Sequence, residues 1–496
     1  MTAGSRRGAT PLSEQTLHGD PVAAEYEALA GIALERLTGY VEDSRAGREP
    51  VGGHAPLGEV YAALELDRWT GPGGMDEVSF AGFLDRYLAY STRLYHPAVI
   101  GHQTPAPEPP AAVADLIHGA VNNPMAIYEM GPSAVAVEFA VLNWMIASIG
   151  WTPQPLPPAE APGGHAAGVL THGGSLANLT GLLAARAAAA PEAWQEGAPG
   201  DLAVLVPENS HYSVARAVAI MGLGSRAVYP LETDGRGVVR ADRLEAARER
   251  VRADGRRCMA VVANACATAT GLHDPLRAMG EFCREYGVWF HVDACHGASA
   301  LLSPRYRHLL DGLDLADSVV WDAHKMLQTS TLCAALLVRD AAAFQATFHQ
   351  EASYLFYGDN RDGIDFVWRA VECTKAGLGL KVLLNLAFRG ERGLGRYVEG
   401  RYAMARQFFE VIRARPGFEC PWEPESNILC FRYGDDDALQ VRIRERLLRE
   451  GRYHMTSTLL NGRRYLRLTV INPLTDADTL AGLLDAIEET AAELAG

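Results

Sequence analysis

The chain has 496 residues, 48% of them hydrophobic and 21% charged, and a formal charge of −15. That length exceeds what one hydrophobic core comfortably serves, so two or three structural units are expected, and the apolar content excludes a disordered chain. The acidic balance disfavours a general nucleic-acid binder, because phosphate recognition needs a basic face.

Near the start, Arg6 and Arg7 have no apolar stretch behind them, so no secretory signal is expected. The longest apolar runs further on are Ala-rich and broken by Arg, Asn or Gly, so no membrane span is expected either. Residues 21–45 carry apolar side chains at helical spacing and predict an opening amphipathic helix. Pro-rich stretches at 104–110 and 152–164 read as loops, and between them residues 111–150 form one long helical pattern closing at Gly150.

From 166 to 340 short β-rich runs alternate with helices. The predicted strands are 202–208, 225–231, 258–265, 288–294, 317–323 and 333–340, with helices at 176–190, 213–224 and 275–287. Near-continuously apolar strands separated by helices imply a mixed, mostly parallel sheet covered on both faces, an α/β architecture. Residues 376–415 are again helical, strands at 427–433 and 465–472 flank a helix, and Thr475 with Asp478 predicts a capping box for the last helix. The expected division is a helical N-terminal segment (1–110), a large domain (111–375) and a small α+β domain (376–496). Eight cysteines lie scattered without a C-x-x-C pair, so neither a metal site nor a disulfide framework is expected, and a reducing cytoplasm suits them.

Three lysines (Lys325, Lys375, Lys381) stand among 45 basic residues, so a chemistry that needs a lysine amine has three places to live. In an open α/β sheet, ligands gather beyond the carboxyl ends of the strands, and several polar residues fall there. THGGSLANL (171–179) puts Gly174 and Ser175 at a helix start, where free N–H groups can cradle a phosphate. FHVDACHG (290–297) places Asp293 at a strand end, where it can hold a positively charged ring nitrogen. DAHKML (322–327) ends the next strand with Asp322, His324 and Lys325, an amine able to form a Schiff base with an aldehyde. His211, after another strand, is a flat group able to stack on a ring. Singly, each has a plain structural alternative: a turn, an N-cap or buried ion pair, a solvated loop lysine, a core or surface histidine. Together they are the attachments pyridoxal phosphate requires.

At these residues the chain resembles the pyridoxal-phosphate-dependent group II amino-acid decarboxylases, which act on glutamate, sulfinoalanine, aromatic amino acids or 2,4-diaminobutyrate. The resemblance covers roughly residues 50–490 and rests on THGGSLANL, ANACATATGLHDP (263–275), HVDAC, DAHKM and YLRLTVINP (465–473). HKMLQTSTLCAALLVRD with EASYLF (351–356) is most similar to the glutamate and sulfinoalanine branch. The resemblance implies a fold-type-I large domain and a cytoplasmic homodimer with its active site at the subunit interface. It implies that Lys325 carries the cofactor and that His211 stacks on the ring and helps position or protonate the substrate. By the same resemblance Asp293 pairs with the pyridinium, Gly174, Ser175 and His324 hold the phosphate, Asp322 and Thr268 complete the cofactor site, Arg467 binds the substrate α-carboxylate and Gln103 lines its pocket. The implied reaction is α-decarboxylation of an L-amino acid to the amine and carbon dioxide, with aliphatic or acidic side chains favoured over aromatic ones.

Three departures stand out. Cys266-Ala267-Thr268 replaces the family's GTT, and Cys373-Thr374-Lys375-Ala376 replaces its C-G-R-R, leaving Lys375 as a point charge where a guanidinium fork is usual. A loose alignment also puts Phe366 where the family's loop carries a proton-donating tyrosine, a change that resembles enzymes diverted to oxidative deamination to aldehydes, with Tyr354 or Tyr357 as substitute hydroxyls. Rival readings are that aldehyde-forming reaction, a transaminase of the same fold type, and a binding module without catalysis.

Overall fold

The computed structural model describes residues 22–52, 54–156, 163–348 and 363–495. In chain order the larger helices and the strands begin with α1 (Val22–Arg45), α2 (Glu77–Ala89), α3 (Pro109–Val121) and α4 (Pro132–Ile149). The alternating region follows: β1 (Ala167–Thr171), α5 (Gly174–Ala189), β2 (Leu202–Pro207), α6 (Tyr212–Ile220), β3 (Val228–Leu231), α7 (Leu244–Ala253), β4 (Arg257–Asn264), α8 (Leu276–Tyr286), β5 (Trp289–Asp293), β6 (Ser318–Asp322) and β7 (Ala334–Val338). The chain closes with α9 (Gly379–Ala414), β8 (Phe418–Glu419), β9 (Ile428–Tyr433), α10 (Asp437–Arg449), β10 (Thr456–Leu460), β11 (Arg463–Thr469) and α11 (Ala477–Ala495).

Two compact units result. One comprises the chain up to Gly101, Ala438–Thr456 and Asn472 onward; the other comprises His102–Asp437 and Ser457–Ile471. In the first, α1 lies along α2, and a capping box opens α2, with Ser79 N–H donating to Asp76 and Asp76 N–H to Ser79 Oγ. Its C-terminal part is tied to the N-terminal part by hydrogen bonds from Asn472 Nδ2 to the carbonyls of Leu94 and His96.

The second unit holds a seven-stranded sheet in the order β1-β7-β6-β5-β4-β2-β3. Strand β7 runs antiparallel to both neighbours, and the remaining pairs are parallel. Every residue of β1, β2, β6 and β7 is buried, as an α/β sheet with helices on both faces demands. This is the expected fold-type-I α/β architecture. A second sheet, β10-β11-β9-β8, pairs its strands β8, β9 and β11 antiparallel.

Several elements differ from the sequence reading. The helical pattern over 111–150 is two helices, broken where Asn122 takes a left-handed conformation and Pro124 and Pro132 remove backbone donors. Strand β1 escaped prediction because it is short and finds its partner β7 more than 160 residues away. The last helix is capped one residue later than expected: Asp476 accepts from the Thr479 N–H, while Thr475 Oγ1 donates to the Pro97 carbonyl at 2.6 Å. Helix α4 is long and apolar enough to cross a membrane by composition, which the sequence reading passed over. In the fold it packs on β1 and α9, with Glu138 at its centre ion-paired to Lys375 at 2.6 Å.

Candidate active site

The parallel strands deliver their polar residues to one end. Asp293 is the last residue of β5 and Asp322 the last of β6, and Lys325 follows one turn on. Opposite them α5 begins at Gly174. Gly173, at φ 107°, turns the chain into the helix, a conformation that favours glycine. Gly174 cannot be larger: a Cβ there would lie 2.6 Å from Cys295 Sγ and 2.9 Å from Asp322 Oδ1. His211 is the N-cap of α6, its Nδ1 accepting from the Ser213 N–H.

These residues surround a cavity of about 300 Å³. Of the residues singled out in the sequence, Gly174, Ser175, His211, Thr268, Asp293, Asp322, His324 and Lys325 all line it. Lys325 Nζ lies 2.9 Å from Asp322 Oδ2, with 18% of the lysine side chain exposed. Burial alone would lower the lysine's pKa, but Asp322, Cys295 and Asp293 together raise it, so the amine is held as ammonium. Burial works against the charge of Asp293 in turn, yet Lys325 and hydrogen bonds from Cys295 and Asn178 keep its carboxyl below the ordinary aspartate value. Burial, partly offset by Asp293, leaves His211 below the ordinary histidine value. His324 Nδ1–H donates to the Cys333 carbonyl at 2.8 Å, and its Nε2 stands 3.7 Å from Asp322.

The donor set fits pyridoxal phosphate. Asp293 is an ionised acceptor suited to a ring N–H, Lys325 is the one lysine on the lining, and the start of α5 offers N–H groups beside a glycine that leaves no room for a side chain. Asp322 Oδ1 is buried without a hydrogen-bond partner among the described residues, so the cavity wall carries an acceptor still to be satisfied.

Other sequence-derived candidates lie apart from the lining. Arg467, on β11, sits behind it and donates from Nε to the Thr268 carbonyl at 2.9 Å. Gln103 is outside the lining as well, its Nε2 buried and without a partner among the described residues. Lys375 is sealed in its pair with Glu138 and contributes no charge to the cavity wall. Phe366 is a core residue, 1% exposed, with Lys375 Nζ 5.4 Å from its ring centroid. The segment Phe366–Arg369 forms a short helix whose Phe366 ring lies in the core and not on the cavity lining. Tyr354 and Tyr357, with the EASYLF segment, lie outside the described residues.

The structure adds lining residues that motif reading passed over: Asn178, Ser213, Cys295 and His296. Alternation held a signal for their neighbour His291. Trp289, His291 and Asp293 occupy every second position of β5 and so share one face.

Residues 84–434 match the model of the pyridoxal-dependent decarboxylase conserved domain. The chain is 30% identical to the cysteine sulfinic acid decarboxylase of Mus musculus, over 95% of this chain and 98% of that protein. It is 30% identical to an acidic amino acid decarboxylase of Xenopus tropicalis, over 82% and 81% of the two chains. Its fold superimposes on the crystal structure of mouse CSAD with a TM-score of 0.85 at 28% identity, covering 95% of this chain and 99% of the other.

Proposed function

Since the chain belongs to the pyridoxal-dependent decarboxylase family, an enzyme family that uses pyridoxal phosphate to release carbon dioxide from amino acids, we propose that its own substrate is an L-amino acid with an aliphatic or acidic side chain. The observation that carries this reading is the convergence of Lys325, Asp293, His211 and the start of α5 on one cavity. The leaning toward an acidic side chain draws on relatives that act on cysteine sulfinic acid and on acidic amino acids.

When bound, pyridoxal phosphate supplies a conjugated ring that takes up the electron pair left behind by the departing carboxylate. The protein's residues do the rest. Lys325 would be the amine for the cofactor's aldehyde once its ammonium has given up a proton, and Asp322 positions it. Asp293, kept ionised, retains the proton on the ring nitrogen, without which that ring is a poor acceptor of electrons. Gly174, Ser175 and His324 hold the phosphate, and Thr268 closes the wall beside Asp293. The cavity lining includes neither Arg467 nor Gln103, so receiving the α-carboxylate and the side chain is assigned to them by the resemblance alone. In the reaction the bond from Cα to the carboxylate carbon breaks, carbon dioxide leaves, and one proton takes its place at Cα. His211 and Lys325 are the proton-bearing groups of the cavity suited to deliver it. A homodimer in the cytoplasm, with its active site at the subunit interface, belongs to the same proposal.

The test is release of carbon dioxide from the standard amino acids plus cysteine sulfinate and 2,4-diaminobutyrate, with the products identified. Amine and carbon dioxide from an aliphatic or acidic substrate support the proposal. Comparable turnover of tyrosine or tryptophan overturns the side-chain assignment, and aldehyde with ammonia and peroxide overturns the reaction.

A further inference from the structure

Behind Asp293 and His211 runs a buried chain of hydrogen bonds whose direction can be worked out from the chemistry of its ends. Trp289 Nε1 is only a donor, and it lies 2.8 Å from Ser318 Oγ. Ser318 Oγ also lies 2.7 Å from His291 Nδ1, and because the Asp293 contact of Asn178 turns the amide oxygen toward His291 Nε2, Ser318 is the donor to Nδ1. His291 is wholly buried, and burial takes its pKa down to about 4, so the ring is neutral with its single hydrogen on Nε2. That hydrogen goes to Asn178 Oδ1 at 2.9 Å.

The other end of Asn178 agrees. Its Nδ2 lies 3.0 Å from Asp293 Oδ2 and 3.0 Å from Ser213 Oγ. An ionised carboxylate only accepts, so the amide must turn its NH2 toward Asp293; the flipped amide would set oxygen against oxygen there and two hydrogens against the His291 N–H. Ser213 Oγ accepts from Asn178 and lies 2.7 Å from His211 Nδ1, to which it can donate its hydrogen or offer its second lone pair. The Ser213 backbone N–H is aimed at the same nitrogen, at 3.3 Å. His211 Nδ1 is therefore an acceptor, and the ring carries its hydrogen on Nε2.

We propose that Asn178 is a positioning residue that couples the two cofactor-facing groups: it orients the Asp293 carboxylate directly and, through Ser213, holds His211 in the Nε2–H tautomer, while His291 and Ser318 fix the orientation of Asn178. The Asp293 half rests on the cofactor reading of the cavity; the His211 half does not, since the tautomer is a property of the protein. A neutral His211 with its hydrogen on Nε2 presents a donor, whereas the other tautomer would present a bare lone pair. The charged groups facing His211 are Asp293, Lys325 and Asp322. None of them faces Nδ1 as closely as Ser213 does.

The test is ring-15N NMR of histidine-labelled protein, with and without pyridoxal phosphate, the His211 signals being identified by their loss in His211→Gln. In the wild type at neutral pH, Nδ1 should resonate as an unprotonated nitrogen and Nε2 as a protonated one. Ser213→Ala should return a mixture of tautomers, and Asn178→Ala should both mix the tautomers and weaken cofactor binding roughly tenfold or more. An Nδ1–H tautomer in the wild type overturns the inference. So do unchanged His211 signals in both variants, or unchanged cofactor affinity in a folded Asn178→Ala protein. Because Ser213→Ala removes a single hydroxyl, it keeps the test available if Asn178→Ala does not fold. A wild-type protein that fails to bind pyridoxal phosphate sinks the proposed function, whereas a wrong tautomer in protein that binds it sinks only this inference.

Discussion

Two lysines of this chain sit against carboxylates in buried surroundings, and they do opposite things. Lys375 meets Glu138 at 2.6 Å, with 1% and 0% of the two side chains exposed. The other oxygen of Glu138 accepts the Leu170 N–H at 2.9 Å, so one cation, one anion and one backbone donor close on each other. Lys325 meets Asp322 at 2.9 Å, but its surroundings do not close. Asp293 adds a second carboxylate, Asp322 Oδ1 has no partner among the described residues, and a cavity opens beside the amine. A balanced pair has nothing left to offer a ligand. An unbalanced one at a cavity wall holds both an amine and spare acceptors, and that difference, rather than burial or pairing as such, separates a structural lysine from a candidate catalytic one.

The comparison can be broken most sharply at the two amines. Lys325→Ala should reduce carbon dioxide release roughly a thousandfold or more, measured with the preferred substrate under saturating pyridoxal phosphate, while the fold persists by circular dichroism. Lys375→Met should act on stability instead, lowering unfolding free energy by about 3–5 kcal/mol in urea titrations because Glu138 is left charged and sealed. Burial already pushes the Glu138 carboxyl above its ordinary value against the opposing pull of Lys375. Without the lysine the folded state favours protonated Glu138 still more, so the loss should shrink at acid pH and grow as pH rises. Adding Glu138→Gln should restore most of it.

A smaller effect sharpens the open side. His291, behind Asp293, has a folded pKa of about 4 against an ordinary 6.5. A depressed pKa contributes stability that is whole above 6.5 and is lost as pH falls toward 4. Between pH 7 and pH 5 the wild type should therefore lose about 2 kcal/mol more than His291→Asn, as read from paired denaturant titrations. His296, with a pKa near 3, adds acid sensitivity common to both proteins. The smallest effect belongs to the third lysine. Lys381 pairs with Asp115 at 2.8 Å, but that carboxylate is 42% exposed and also receives the Ser330 hydroxyl. Asp115→Asn leaves Lys381, itself 6% exposed, beside a neutral acceptor and should cost about 1–2 kcal/mol while leaving turnover unchanged.

The parts of the site that were legible in sequence share a cause. Asp293, Asp322 and Lys325 each follow directly on an apolar strand, and Gly174 and Ser175 directly precede a helix, so local order already places them at one end of the sheet. What escaped is tertiary. Asn178 lies inside a helix among apolar neighbours, and only the approach of β5 and α6 gives its amide three partners, Ser213, Asp293 and His291. The break between α3 and α4 was hidden because apolar spacing continues across it, and only the left-handed Asn122 and the prolines interrupt the backbone. Phe366 could not be placed by counting along the chain, because whether a short helical turn faces a core or a cavity depends on what packs above it, here Lys375 and Arg369.

The most direct measurement is reductive trapping. Protein loaded with pyridoxal phosphate is treated with borohydride, digested, and the peptide carrying the added pyridoxyl group is identified by mass spectrometry. The account predicts stoichiometric label on Lys325 alone; label on Lys375 or Lys381, or absorbance that borohydride leaves untouched, would contradict it.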